Sequence, residues 1–307
     1  MLLQAGPVPL DELQRTVREY LPGLPVRVWP DLGDASAIEY ALVSRIPEGA
    51  LGALPRLRLV GSLHAGVDHL LNDSSLPSHV PVTRPMPRGG DPLMSEYILA
   101  QVLQHHRHFP AYAAAQRAGR WEKLPPMAAR ERTVGFLGYG AMAAPAAALV
   151  AQVGFDVAAW ARRPRPAAKV RVFDGEAGLQ ALLARTQIIV NLLPLTALTA
   201  GIIDARLLSQ LPRGAILINV GRGEHVVEAD LLAALDEGRL AWASLDVFRH
   251  EPLPAHSALW RHPHLLVTPH ACRRVDVAEV VAQFATEVER ARRDEPLLYG
   301  VDRSAGY

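Results

Sequence analysis

The chain has 307 residues, half of them hydrophobic, and a formal net charge of +1. This length is sufficient for two domains of ordinary size, each with its own core. Acidic and basic residues are interspersed, so we expect neither a nucleic-acid-binding surface nor a membrane surface. The single cysteine, Cys272, excludes an internal disulfide and fits a reducing compartment. The N-terminus does not have the pattern of a signal peptide, and we therefore expect a cytoplasmic protein.

Short apolar runs alternate with amphipathic helical patterns, which predicts parallel sheets covered by helices. In the first part of the chain, strands are predicted at residues 2–5, 26–29, 41–44, 58–63 and 80–83, and a helix at 10–20. In the second part, strands are predicted at 155–160, 169–173, 187–192, 215–219, 241–246 and 265–268, and helices at 144–152, 178–185, 204–211 and 227–236. A last amphipathic helix, 275–293, is expected to return to the first domain.

A long helix is predicted between the two parts and is expected to link them. It begins with Asp91 as N-cap and a proline at the first helical position, and its pattern continues to residue 109. Three histidines lie on it, His105, His106 and His108. They cannot all face one way on a helix, so we interpret them as a solvated face and predict no metal site.

The chain is organised around residues 133–143, where an apolar run is followed by Gly138, Gly140 and Ala143. This spacing is typical of a strand, a tight turn and the start of a helix. Gly138 would make the turn, and the missing side chain of Gly140 would let a pyrophosphate approach the backbone and the helix N-terminus. A glycine turn without a ligand is the alternative. The strand predicted at 155–160 completes a βαβ unit of the size that binds dinucleotides.

The end of that second strand indicates which dinucleotide is bound. NAD sites usually carry an acidic residue here, which bonds the adenosine ribose, but this chain has Ala161 followed by Arg162 and Arg163. Two cations suit a 2′-phosphate, so we predict NADPH in preference to NADH. The alternative is an ordinary solvated basic turn.

A loop at residues 64–68 follows one strand of the first part. Gly66 would allow several backbone N–H groups of this loop to point outward and hold a carboxylate. The alternative is a plain strand-to-helix turn with Asp68 as the helix cap.

Three charged residues follow successive strands of the second part: Arg222, Glu251 and His270. The carboxyl ends of parallel strands share one edge, so these side chains can meet. Reduction of a 2-oxo acid needs a cation for the carboxylate and a proton donor for the alkoxide. Arg222 can bind the carboxylate and polarise the carbonyl, His270 can donate the proton, and Glu251 can favour the imidazolium. Each residue alone could instead be a surface loop, turn or strand-end residue.

Two more stretches fit a nicotinamide site. Residues 191–196 form a strand end turned by Pro194, near the expected position of the cofactor ribose. Asp246 could accept a hydrogen bond from the carboxamide, although a turn or helix cap explains it equally well. The sequence has neither the Gly-x-Ser-x-Gly pattern of hydrolases nor zinc-ligand spacing.

These motifs, in this order and spacing, resemble the D-isomer-specific 2-hydroxyacid dehydrogenase family over nearly the whole chain. They are Gly138-Tyr139-Gly140, residues 191–194 (Asn-Leu-Leu-Pro), 219–223 (Asn-Val-Gly-Arg-Gly), 245–252 (Leu-Asp-Val-Phe-Arg-His-Glu-Pro), 268–270 (Thr-Pro-His) and 65–68 (Ala-Gly-Val-Asp). Finer features at 121–125, 225–228, 252–254 and 301–307 are similar to the glyoxylate/hydroxypyruvate reductase A branch.

The resemblance implies two Rossmann-like or flavodoxin-like α/β domains, each a doubly wound parallel sheet, with a cleft between them. The substrate-binding, catalytic domain would comprise residues 1–98 and 273–307, and the dinucleotide-binding domain residues 99–272. A homodimer is the habit of the family. Trp121 is expected to reach the partner's active site and contact substrate there.

The activity implied by the resemblance is NADPH-dependent reduction of glyoxylate or hydroxypyruvate. By the family pattern Arg222 binds substrate, Glu251 supports His270, and His270 donates the proton. Ala65 and Gly66 would bind the substrate carboxylate through their N–H groups. The expected cofactor contacts are Gly138, Tyr139, Gly140, Ala141, Met142, Arg162, Arg163, Leu193, Pro194, Val220, Gly221, Arg222, Asp246 and His270.

Two alternatives stay open from the sequence. One is a non-enzymatic dinucleotide sensor on the same fold, like the related corepressors. The other is a dehydrogenase for another 2-hydroxy acid; phosphoglycerate dehydrogenase is disfavoured by the missing regulatory domain and strand-end acid. Two departures from the family pattern bear on the substrate. His64 replaces a usual glycine, and Arg273 is expected to add positive charge near the pocket mouth.

Overall fold

The computed structural model describes residues 1–87, 89–163 and 170–306. It divides into two compact units, Met1–Pro87 with Val275–Tyr307, and Arg88–Arg274. The helices are α1 (Leu10–Tyr20), α2 (Asp68–Leu71), α3 (Pro92–His106), α4 (Phe109–Arg117), α5 (Ala143–Gln152), α6 (Gly175–Leu183), α7 (Ala205–Gln210), α8 (Glu228–Asp236) and α9 (Val277–Arg292). None of these described helices has the length and hydropathy needed to cross a membrane.

The strands are β1 (Leu2–Gln4), β2 (Arg27–Val28), β3 (Tyr40–Val43), β4 (Leu59–Ser62), β5 (Val82–Thr83), β6 (Thr133–Leu137), β7 (Asp156–Trp160), β8 (Arg171–Phe173), β9 (Ile188–Asn191), β10 (Ala215–Asn219), β11 (Leu240–Leu245) and β12 (Leu265–Val267). Most predicted strands are confirmed with small shifts at their ends. One prediction began at residue 169, which lies outside the described residues.

The first unit is a parallel sheet in the order β2-β1-β3-β4-β5, which is the flavodoxin-like order. Helix α9 packs on α1 and β4, where a Cβ on Gly61 would overlap the ring of Phe284. The prediction that the last helix returns to the first part of the chain is therefore confirmed.

The second unit is a parallel sheet in the order β12-β11-β10-β9-β6-β7-β8. The chain runs outward from β6 through β7 to β8, then returns to β9 on the other side of β6 and runs outward again. This is the Rossmann order, and its switch point lies between β6 and β9. The predicted fold class of two doubly wound parallel sheets is confirmed.

The boundaries of the units differ from the predicted ones. Met94 and Ile98 of α3 are buried with Ala143 and Ala146 of α5, so α3 belongs to the second unit along its whole length. The compact units divide after residues 87 and 274, whereas the predicted domains divide after residues 98 and 272, and the domain boundaries stay a prediction. That the first unit binds the substrate and the second unit binds the dinucleotide stays a prediction.

The predicted helix through residue 109 is wrong in its last turn. Asp91 caps α3 as predicted, with its Oδ1 accepting from the N–H of Met94 at 3.2 Å. The helix ends at His106, and His108 adopts a left-handed conformation with φ of 60°. Pro110 then stands in the first turn of α4, where its missing N–H costs nothing. Helix α6 also differs, since it begins three residues earlier than predicted.

The prediction of a solvated histidine face is also wrong. His105 and His106 are only 2% and 5% exposed. The Nε2 of His105 lies 2.7 Å from the Oγ of Ser244 on β11, and the ring of His106 packs edge-on against Phe155 at 4.9 Å. Both histidines are covered because α3 lies on the sheet, which an analysis of helical periodicity cannot detect.

We expect His105 to make folding stability depend on pH. Burial, together with the nearby charge of Arg132, lowers the pKa of His105 from 6.5 to about 4. The folded protein thus binds this proton less readily than the unfolded chain. The resulting stabilisation is complete above pH 6.5 and is lost as the pH falls from 6.5 to about 4.

The variant His105→Gln keeps a group able to bond Ser244 but does not titrate. Its free energy of unfolding should fall less steeply over that interval than that of the wild type, by roughly 1–3 kcal/mol in total. Denaturant unfolding at a series of pH values measures this difference. The exposed His256→Gln is the control, and equal slopes for His105→Gln and the wild type would contradict the prediction.

Candidate functional site

The turn after β6 is built on two glycines with different roles. Gly138 has a φ of +94°, and a Cβ there would lie 2.9 Å from the carbonyl oxygen of Leu192 in the neighbouring loop after β9. A Cβ on Gly140 would meet no described atom within 4 Å, and the residue is exposed. The protein itself therefore requires Gly138, whereas the bare backbone at Gly140 leaves open space beside the N-terminus of α5. This arrangement fits a pyrophosphate at the switch point.

The other predicted residues of this turn lie around the same opening. Ala141 is exposed, and Met142 is the N-cap of α5 and provides no capping side chain. Tyr139 is half-buried, and its burial raises its pKa.

The end of β7 carries the residues predicted to select the cofactor. Ala161 is buried and its N–H donates to the carbonyl of Phe173 on β8 at 3.0 Å. Arg162 and Arg163 follow and are both exposed. Because an alanine fills the last buried position, two cations rather than a carboxylate stand at this strand end.

The loop after β10 presents Arg222. Its backbone is held on both sides, because its N–H donates to the Nδ1 of His225 at 3.1 Å and its carbonyl accepts from the Nδ2 of Asn219 at 3.0 Å. The guanidinium is half-buried, with its Nη1 donating to the carbonyl of Gly221 at 3.0 Å. A Cβ on Gly223 would overlap the backbone of Phe248, so this loop packs directly against the turn that follows β11.

Leu193, Pro194, Val220 and Gly221 lie on the two adjacent loops after β9 and β10. Leu193 and Val220 are buried, and the N–H of Leu193 donates to the Oδ1 of Asn191 at 3.2 Å. A Cβ on Gly221 would come within 2.9 Å of the Nδ2 of Asn191. The four residues thus form the packed base of the switch-point edge.

Glu251 and His270 form the hydrogen-bonded pair that the sequence predicted. The Nδ1 of His270 lies 2.8 Å from the Oε2 of Glu251, while the Oε1 of Glu251 accepts from the N–H of Phe248 at 3.0 Å. With its proton on Nδ1 directed at the carboxylate, the imidazole turns Nε2 to the other side of the ring. The side chain of His270 is 40% exposed.

Asp246 sits behind His270 and is fully buried. Its Oδ1 accepts from the Oγ1 of Thr268 at 2.6 Å and the N–H of Ala271 at 2.8 Å, and its Oδ2 from the N–H of Cys272 at 3.0 Å. These bonds make Asp246 the cap of the turn that carries His270, which is the alternative that the sequence left open. Its contact with a carboxamide stays a prediction.

The surroundings of that turn are also buried. The hydroxyl of Tyr97 on α3 lies 2.6 Å from the Oγ1 of Thr268, and burial raises the pKa of Tyr97 and of the Cys272 thiol. Arg273 does not add free positive charge, because its Nε pairs with the Oδ2 of Asp91 at 2.8 Å and both side chains are largely buried. The expectation for Arg273 is therefore wrong.

In the first unit, the loop at residues 64–67 joins β4 to α2. Ala65 and Gly66 are partly exposed, and the carbonyl of Ala65 accepts from Nη1 of Arg84 at 3.1 Å. His64 is anchored by its Nε2, which lies 2.6 Å from the Oγ of Ser44 at the end of β3. Asp68 is the first residue of α2 rather than its cap, which is Val67.

Sequence reasoning assigned no role to three buried polar residues, Asn191, Asn219 and His225. The Nδ2 of Asn191 donates to the Oδ1 of Asn219 at 2.9 Å, and both residues end buried strands. A polar residue at the last position of an apolar strand was the signal that could have revealed them. Trp121, predicted to act in a dimer, is fully exposed.

Residues 99–272 match the model of a known family domain, described as the NAD binding domain of D-isomer specific 2-hydroxyacid dehydrogenases. The chain belongs to the D-isomer specific 2-hydroxyacid dehydrogenase family. It is accordingly an NAD(P)-dependent oxidoreductase acting on 2-hydroxy or 2-oxo acids, as the sequence predicted.

Relatives of this dehydrogenase cover almost its full length. It is 41% identical over 298 residues to glyoxylate/hydroxypyruvate reductase A of Klebsiella pneumoniae strain 342, with 95% of each chain covered. A D-isomer specific 2-hydroxyacid dehydrogenase from Xanthobacter autotrophicus Py2, solved with NADPH and MES, has a TM-score of 0.91 and 40% identity, with 100% of this chain and 98% of that chain covered.

A third similar protein is the NADPH-dependent glyoxylate/hydroxypyruvate reductase from Sinorhizobium meliloti, solved with NADP and sulfate. Its TM-score is 0.92 at 36% identity, with 100% of this chain and 99% of that chain covered. Both solved structures were therefore obtained with a phosphorylated nicotinamide dinucleotide.

The two glycines of the turn after β6 should respond differently to alanine. Gly138→Ala forces a side chain into a positive-φ position against the Leu192 carbonyl, and should lower the free energy of unfolding by about 1–3 kcal/mol. Gly140→Ala should leave stability within about 0.5 kcal/mol of wild type. It should weaken NADPH binding at least about tenfold, because the methyl fills the opening.

Chemical denaturation and fluorescence titration with NADPH measure the two effects. Gly119→Ala, at a positive-φ glycine outside the site, is the control for strain without loss of binding. Unchanged NADPH affinity in Gly140→Ala would show that the pyrophosphate does not approach this residue.

Proposed function

We propose that this protein reduces glyoxylate or hydroxypyruvate to the corresponding 2-hydroxy acid with NADPH. The observation that carries the proposal is the pair of His270 and Glu251, 2.8 Å apart, on a turn fixed by a buried carboxylate. The pair follows β11 and β12 of the unit that contains the dinucleotide-binding turn. The substrate class is supported by the curated relative, which is a glyoxylate/hydroxypyruvate reductase A at 41% identity.

The residues divide the work of carbonyl reduction among them. Bound NADPH supplies the hydride for the carbonyl carbon. Arg222 binds the substrate carboxylate through its guanidinium and withdraws electron density from the adjacent carbonyl. His270 donates the proton from Nε2 to the forming alkoxide, and Glu251 stabilises the imidazolium from the Nδ1 side. Both pair members are oriented before substrate arrives, which lowers the entropic cost of the step.

We infer that Arg162 and Arg163 cause a preference for NADPH over NADH by binding the 2′-phosphate. The buried Ala161 leaves no carboxylate for the ribose hydroxyls, while two exposed guanidiniums stand at the strand end that faces the adenosine half in Rossmann sheets. The similar structures with NADPH and NADP support this preference. The predicted backbone and side-chain contacts of the turn after β6 and of the loops after β9 and β10 belong to the same proposal.

Ala65 and Gly66 of the first unit are proposed to hold the substrate carboxylate through their N–H groups. The loop is held by Arg84, whose Nη1 donates a hydrogen bond to the carbonyl of Ala65. His64 adds a ring fixed by Ser44 next to these residues, and we therefore expect substrates with short side chains to be favoured.

The assembly and location are also proposals. A homodimer is supported by Trp121, a large aromatic side chain that is fully exposed in the single chain. A cytoplasmic location is supported by the single cysteine, Cys272, which is a buried free thiol.

The decisive assay follows NADPH absorbance with glyoxylate, hydroxypyruvate, pyruvate and bulkier 2-oxo acids. We expect turnover of glyoxylate and hydroxypyruvate. His270→Asn should lower kcat, measured at saturating NADPH, by at least roughly a hundredfold, because the proton donor is lost. His250→Asn, at an exposed position in the loop after β11, is the control and should keep wild-type kcat. Intact NADPH binding without turnover of any acid would instead favour a dinucleotide sensor.

Cofactor preference is tested separately with Arg162→Ala. Loss of a charge-assisted bond to the 2′-phosphate should lower kcat/KM for NADPH by roughly tenfold or more and leave that for NADH unchanged. Arg171→Ala removes another exposed arginine, at the start of β8, and should not alter the ratio. A wild-type NADPH-to-NADH ratio in Arg162→Ala would remove this arginine from the phosphate site.

A further inference from the structure

We propose that His225 is the positioning residue for Arg222 and that its two ring nitrogens serve two different loops. Through Nδ1 it fixes the backbone from which the guanidinium projects, and through Nε2 it ties down the loop after β9. The proposal rests on the proposed function, in which Arg222 binds the substrate carboxylate.

The contacts of Nδ1 determine which nitrogen of the His225 ring carries the hydrogen. The backbone N–H of Arg222 lies 3.1 Å from Nδ1, and a backbone N–H can only donate. Nδ1 must therefore present its lone pair. The Nδ2 of Asn191 lies 3.0 Å from the same nitrogen and is a second donor facing it. A proton on Nδ1 would meet two donors, so the folded loop requires the ring with its hydrogen on Nε2.

The contact of Nε2 agrees with this assignment. It lies 3.3 Å from the carbonyl oxygen of Pro194, a group that can only accept. A donor thus faces one nitrogen of the ring and an acceptor faces the other. His225 is fully buried, so water does not compete for either bond.

These bonds connect two loops at the switch-point edge. Pro194 belongs to the loop after β9, which we assign to the cofactor. Arg222 belongs to the loop after β10, and we assign its guanidinium to the substrate carboxylate. Asn219 completes the arrangement by accepting from Gly221 at 3.2 Å and donating to the Arg222 carbonyl at 3.0 Å. With its N–H and carbonyl both bonded, the backbone from which the Arg222 side chain projects is held in place. His225 therefore acts on the substrate through the backbone geometry of Arg222.

Two substitutions separate the two nitrogens. His225→Asn places an amide oxygen near the position of Nδ1, so it retains an acceptor for Arg222 and loses the bond to Pro194. His225→Gln places its amide N–H near the position of Nε2, so it retains the donor for Pro194 and loses the acceptor. Exposed His264→Gln is the matched control.

We expect the kinetic constants to divide accordingly. In His225→Gln the KM for glyoxylate should rise roughly tenfold or more, with the Kd for NADPH within about twofold of wild type. In His225→Asn the Kd for NADPH should rise severalfold, and the KM for glyoxylate, measured at saturating NADPH, should stay within about threefold. Thermal unfolding of each variant shows whether it is folded, and a general loss of structure would shift both constants together.

A double-mutant cycle with Arg222→Gln shows whether His225 acts through Arg222. If it does, adding His225→Gln to Arg222→Gln should raise the KM for glyoxylate by less than about twofold further. A full additional tenfold rise, or the same change of both constants in the Asn and Gln variants, would overturn the positioning role. Absence of turnover in the wild type would instead overturn the proposed function and, with it, this inference.

Discussion

The buried carboxylate of Asp246 is the interaction on which the catalytic edge depends. A charge that is removed from water must be compensated by hydrogen bonds, and three donors from residues 268–272 converge on it. The carbonyl of Asp246 also accepts from the N–H of His270 at 2.8 Å. The same residue thus holds the turn by side chain and backbone, and His270 can occupy its positive φ of 52° because the bonds on both sides of it are fixed.

The next two strands of the sheet beyond β11, β10 and then β9, end in the same way. Asn191 and Asn219 are paired in register at the ends of β9 and β10, and both are fully buried. Each side chain bonds backbone groups of its own loop as well as its neighbour. Buried amides and a carboxylate at the ends of three adjacent strands therefore organise the loops that follow them. In the loops after β9 and β10, the residues proposed to contact ligands lie one to three positions after the buried amide.

Local patterns in the sequence were sufficient to predict much of the fold and of the candidate site. The Gly138 turn, the Asp91 cap, the parallel sheets and the pairing of Glu251 with His270 follow from turn chemistry, capping and the alternation of strands with helices. Two of the wrong predictions have a common cause. The burial of His105 and the pairing of Arg273 with Asp91 depend on partners more than a hundred residues away, which periodicity does not reveal. Asp246 could be read either as a cofactor ligand or as a cap, and only its three donors distinguish the two.

The ion pair of Asp91 and Arg273 has a consequence for the connection between the two units. Asp91 lies just after the chain enters the second unit, and Arg273 lies just before the chain leaves it. One carboxylate both starts α3 and binds the last turn before the exit, so the entrance and the exit of the chain are tied to one point of the second unit. The two segments by which the chain enters and leaves this unit are therefore held by the same ion pair. A substitution of either Asp91 or Arg273 would weaken the attachment of both segments.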